Sequence, residues 1–129
     1  MKEFLCKIPP YLPTVIVLAL LFYLTLVPQP LPPIEVPMLN ADKIVHMVMM
    51  WGVSFTIMFD YKRRERQRVL PLSVKLYVML GTIALGALIE LAQGTSLIHR
   101  GCDLWDGVAN ALGCVLAFFS VPPILRRLL

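Results

Sequence analysis

Residues 72–93 read LSVKLYVMLGTIALGALIELAQ, bracketed by Pro71 and Gly94. Proline suits the entry to a helix and glycine commonly follows its end, so the bracket marks one helix. Its 22 residues would rise about 33 Å, enough to cross the ~30 Å hydrocarbon core of a bilayer. Its formal charges are confined to Lys75 near one end and Glu90 near the other. A span of this kind needs companions, because Glu90 lies within the apolar run and a charge there is costly.

Companions are present on both sides. Upstream, Lys43 to Phe59 forms a second apolar run, with Asn40 or Asp42 placed to cap it and a charged loop, Asp60 to Arg68, after it. Downstream, Asp103 to Val121 forms another, which Pro122-Pro123 is expected to stop. Near the start, Tyr11 to Val27 is apolar and free of charge, preceded by Pro9, Pro10 and Pro13. A secretory signal is the competing reading there, since Lys2 and Lys7 give a basic start; Thr25-Leu26-Val27-Pro28, however, is no small-residue cleavage site. Between the first two runs lie Pro28, Pro30, Pro32, Pro33 and Pro37, which predict an extended, polyproline-like connection. The sequence therefore predicts one all-α membrane domain over residues 1–129, a four-transmembrane-helix bundle with helices near 11–27, 43–60, 72–93 and 103–121.

Composition agrees: 58% of residues are apolar and 16% charged, against roughly 45–50% and 25% in soluble domains. The net charge of +4 does not point to nucleic acid, because the basic residues cluster in short segments beside the apolar runs. Lys2, Lys7, Lys62, Arg63, Arg64, Arg66, Arg68, Lys75, Arg126 and Arg127 fall on one side of a four-crossing bundle, and Lys43 and Arg100 on the other. The positive-inside rule then puts both termini in the cytoplasm. On this reading Lys62–Arg68 is first a topology anchor and only secondarily a contact for anionic lipid. Cys6, Cys102 and Cys114 have no metal spacing, and Cys102 and Cys114 lie too far apart along one helix to bridge, so free thiols are expected.

With that topology the remaining polar residues collect at the outer end. Asp42 and His46 are four apart and share a helix face. Glu90 and Gln93 are three apart, and Thr82, Gly86 and Glu90 step by four along the same stripe. Asp103, Asp106 and Asn110 follow at spacings of three and four, with Arg100 just before them. Convergence into one outward-opening pocket is the simplest way to give these groups partners. Ala109, Gly113 and Ala117 form a small-residue ridge suited to close helix packing, with Gly86 a matching notch.

The ordered set Asp42-Lys43-x-x-His46, Glu90-x-x-Gln93 and Arg100-x-x-Asp103-x-x-Asp106-x-x-x-Asn110-x-x-Gly113 resembles the VanZ-like family of small bacterial membrane proteins. The resemblance runs from about Asp42 to Gly113. It departs at Met47, where the family often has an aromatic, and at Ala117, where it often has glycine. It implies a multi-pass protein of the bacterial inner membrane with a cell-envelope role, including lowered sensitivity to glycopeptides such as teicoplanin.

Two chemistries are weighed for the site. In the first, Asp42, His46, Glu90, Gln93, Arg100, Asp103, Asp106 and Asn110 bind an anionic lipid head group or a lipoglycopeptide, with the Arg100 fork on a phosphate or carboxylate. The alternative is a membrane-embedded acid/base enzyme acting on a lipid-linked envelope substrate, with His46, Glu90 and Asp106 as candidate catalytic groups. Ser96 and Cys102 lie nearby, but no spacing marks either as an activated nucleophile. A metal or proton site is a weaker third reading. No zinc spacing occurs, and neither metal nor cofactor is expected. A polar network that only locks helices together is the plain alternative to all three.

Overall fold

The computed structural model describes residues 2–26, 41–65, 69–93 and 104–128, and these are all-helical apart from short turns. Five helices follow in order: α1 (Lys2–Lys7), α2 (Leu12–Leu26), α3 (Ala41–Glu65), α4 (Leu72–Gln93) and α5 (Leu104–Leu128). Helix α4 has the bounds its sequence predicts. The proline-rich segment Pro28–Pro37 lies outside the described residues, as does Asn40, one of the two expected caps.

Three helices are long and apolar enough to cross a membrane, over Ile44–Glu65, Leu72–Ala92 and Gly107–Leu128. Helix α2 is apolar but shorter; its 15 residues rise about 22 Å. The apolar surface points outward as well as inward. Tyr77, Leu80, Leu88 and Leu91 of α4 are each more than half exposed. A helix facing water would carry polar residues there, whereas hydrocarbon accepts them.

Helices α3 and α5 share the largest interface, α4 leans on both, and α2 packs against α3 and α4. The close approach of α3 and α5 is set at Gly113. A Cβ there would collide with the Met47 carbonyl oxygen and lie 3.0 Å and 3.1 Å from its carbonyl carbon and Cα. Only glycine permits backbone to meet backbone in this way. Ala109 and Ala117, one turn either side, are buried too. Two apolar clusters fill the bundle. Leu21, Met50, Val53, Ile89 and Cys114 occupy the half near the start of α3, and Met58, Phe59, Leu70, Val78, Ala117, Val121 and Leu125 the other.

Two helix ends differ from the sequence expectation. Helix α3 runs through Asp60 to Glu65 instead of giving way to a charged loop. Its charges find partners off the helix. Asp60 is buried, and its Oδ2 accepts from the Thr14 backbone N–H at 3.1 Å and the Thr14 hydroxyl at 2.5 Å. The Val15 N–H bonds to Tyr11 carbonyl, so Thr14 N–H belongs to the unsatisfied first turn of α2 and Asp60 caps it from another helix. Helix α5 likewise continues through Pro122-Pro123 to Leu128. The pair forfeits two backbone hydrogen bonds. Packing compensates: Val121 and Leu125, on either side, are fully buried. Ser120 is held at 2.8 Å by the indole N–H of Trp51, and Lys62 Nζ donates to the Leu125 carbonyl at 3.0 Å.

These contacts also fix which ends lie together. Asp60 meets the start of α2, and Lys62 meets the end of α5. The start of α2 and the end of α5 therefore sit at the same end of the bundle, with the basic turn of α3.

Candidate functional site

At the opposite end, α3, α4 and α5 each contribute a buried polar side chain. His46 lies on the second turn of α3, Glu90 on the last turn of α4 and Asn110 on the second turn of α5, and all three are buried. His46 Nδ1 and Asn110 Oδ1 are 3.3 Å apart. The two atoms are within hydrogen-bonding distance, so the Asn110 amide orients the imidazole ring. Asn110 lies directly over Gly86, whose Cβ, if it had one, would be 3.1 Å from the Asn110 Cβ and 3.4 Å from its Nδ2. Glycine at this position lets the amide reach across α4 to the histidine. One turn above Gly86 on α4, the Cγ of Glu90 is 4.0 Å from the equivalent point on Gly107. Glu90 and His46 are thus both seated against the Gly107–Asn110 turn of α5.

The structure thus puts His46 in contact with Asn110 and Glu90 against the same turn of α5. Asp42 lies in the first turn of α3, Gln93 closes α4, and Asp106 sits one turn before Asn110 on the same face of α5. The side chains of Asp42, Gln93 and Asp106 lie outside the described residues, as do Arg100 and Asp103 altogether. Among the described residues, no group of three His, Cys, Asp or Glu side chains is placed to hold a metal ion.

Below this layer the polar stripe continues inward. Thr82, two turns below Glu90 on α4, and Ser54, two turns below His46 on α3, are buried with their hydroxyls 3.2 Å apart. The Thr82 hydroxyl is 2.7 Å from the Val78 carbonyl and the Ser54 hydroxyl 3.0 Å from the Met50 carbonyl, so each O–H has a backbone acceptor within its own helix. Cys114, a free buried thiol one turn below Asn110, reaches the same two hydroxyls. Thr82 is in the stripe read from sequence. Small polar residues on apolar helices carry no distinguishing pattern, so sequence marks neither Ser54 nor Cys114 as part of this layer, although Ser54 stands eight residues after His46 and Cys114 four after Asn110.

The basic end carries a second polar constellation that the loop reading of Asp60–Arg68 concealed. Arg63 is buried against Asp60 at 3.0 Å. It also donates to the carbonyls of Leu5 at 2.8 Å, Ile8 at 2.7 Å and Pro9 at 3.0 Å. Its guanidinium lies over the Phe59 ring, and that of Arg64 over Tyr11. Tyr11 has a positive φ of 62°, a left-handed turn that L-residues with side chains rarely adopt. One arginine thereby holds the whole α1–α2 bend onto the end of α3. The signal for it was Asp60 and Arg63 at i, i+3, a helical ion-pair spacing.

Against known protein families, characterised proteins and solved structures, the chain has no match.

Proposed function

We propose that the chain is a VanZ-like protein of the bacterial inner membrane that binds an anionic lipid head group or lipoglycopeptide at the external end of a four-crossing bundle. The observation that carries this reading is the burial of His46, Glu90 and Asn110 together, at the end of the bundle opposite the basic last turns of α3 and α5. On this reading α2 is the fourth crossing and both termini face the cytoplasm, as the distribution of Lys and Arg favours. Asp42, Gln93, Arg100, Asp103 and Asp106, which neighbour that layer in sequence, are the further ligand-binding residues of this proposal. Arg100 grips the anion as a bidentate fork, and Asn110 fixes the ring of His46. Occupying the outer leaflet with such a complex lowers glycopeptide sensitivity by competing for or shielding a lipid-linked target.

Mass spectrometry of molecules copurifying with the full-length protein tests the reading. An anionic lipid or lipid-linked species retained by wild type and lost from Arg100→Ala and His46→Ala, at unchanged membrane levels, is the expected result. An identical profile in all three proteins overturns it. The His46–Asn110 contact gives one specific point in favour of the acid/base enzyme, since a base needs an oriented ring. Turnover of a lipid-linked substrate that vanishes in His46→Ala would shift the reading to that alternative.

A further inference from the structure

The basic end of the bundle is a built surface, distinct from the His46 layer. The last turn of α3 is its hub. Two of its cations are turned inward: Lys62 donates to the Leu125 carbonyl at the end of α5, and Arg63 binds Asp60 and the three carbonyls of the α1–α2 bend. These bonds bring the ends of α1 and α5 beside α3. The cations carried by those ends remain in the open: Lys7 of α1, Arg64 of α3, and Arg126 and Arg127 of α5 are all exposed. Exposed carboxylates at this end, among the described residues, are Glu3 and Glu65, and Glu65 is 3.9 Å from Arg64. The exposed balance is positive. Phe4, also on α1, is two-thirds exposed.

We propose that this end docks anionic phospholipid head groups, with Lys62 and Arg63 building the surface and Lys7, Arg64, Arg126 and Arg127 meeting the phosphates. Charge complementarity selects the occupant. The surface caps three helices long and apolar enough to span a bilayer, so head groups are the polar matter it meets first. Each basic residue near an anionic surface favours lipid association on the order of five-fold. Arg63 gives the surface its shape, since without it α1 and its Lys7 have no fixed place.

The test uses the full chain in nanodiscs of phosphatidylglycerol and phosphatidylcholine, with the lipids bound after mild delipidation counted by mass spectrometry. Wild type is expected to enrich phosphatidylglycerol at least about two-fold over the bulk ratio, and raising salt from 0.05 M to 0.5 M, roughly, should erase the preference by screening. The triple variant Arg64→Gln, Arg126→Gln, Arg127→Gln should retain lipid at the bulk ratio, while the triple lysine variant keeps the enrichment. The salt titration needs no variant, so a misfolded mutant leaves the test intact. No enrichment in wild type, enrichment indifferent to salt, or capture of an acidic peptide without lipid preference each overturns the proposal. The same triple glutamine variant is also made on an Arg100→Ala background, where an equal loss of enrichment relative to Arg100→Ala alone is expected, so that lipid held at the proposed external site does not enter the comparison.

Discussion

A methyl group at position 113 has no room, because the Met47 main chain of α3 already occupies the place. Gly113→Ala should therefore part α3 from α5 and cost about 1–3 kcal/mol, as overpacking does. Gly81→Ala faces open space and should be neutral or gain up to about 1 kcal/mol from helix propensity. Thermal unfolding of the two variants in detergent checks the contrast; equal melting temperatures would contradict the close crossing. Gly86→Ala makes a subtler prediction. Its Cβ would press on Asn110 at 3.1 Å, moving the amide a few tenths of an ångström and loosening its hold on His46. The expected sign is impaired ligand retention with the fold preserved, and a shifted His46 ring resonance by NMR. The ring and its amide partner were each legible in a polar stripe, on two separate helices. The glycine that lets them meet was legible only as a notch.

Helix ends are decided by tertiary partners, and this is where sequence reading stopped short. Asp60 and Lys62 look like the start of a loop because isolated charges belong in water. In the folded chain Thr14 and Arg63 satisfy Asp60, and the Leu125 carbonyl takes Lys62. Pro122-Pro123 looks like a stop because the local rule counts lost hydrogen bonds and not the burial of Val121 and Leu125. By contrast α4, whose Pro71 and Gly94 punctuation is purely local, has the expected ends. Asp60→Ala should leave the Thr14 N–H without its acceptor, while Arg63 keeps the carbonyls of Leu5, Ile8 and Pro9. An unsatisfied buried donor costs on the order of 1–3 kcal/mol. Hydrogen exchange at Thr14, measured by NMR in detergent, should accelerate well before exchange in α4. Unchanged protection at Thr14 would show that the cap contributes nothing. Ser54→Ala is expected to cost little, on the order of 0.6 kcal/mol, the average for an interhelical hydrogen bond in a membrane.

At the scale of the whole molecule, the bundle is polar at both ends for different reasons. One end is held shut by cations on carbonyls, and the other gathers an acid, an imidazole and an amide against one turn of α5. Helical spacing raises the expectation of the second, because three polar stripes at one depth have a single economical arrangement. It did not foretell the first, because that arrangement depends on a bend at Tyr11 with no local signature. The account rests on the His46 end facing outward and the Arg63 end inward. Cysteine labelling in intact cells tests this most directly, on a background with Cys6, Cys102 and Cys114 replaced by alanine. Ala41→Cys and Leu104→Cys should react with a membrane-impermeant maleimide before lysis, and Arg127→Cys only after it. Reaction of Arg127→Cys in intact cells, with Ala41→Cys silent until lysis, would contradict the account.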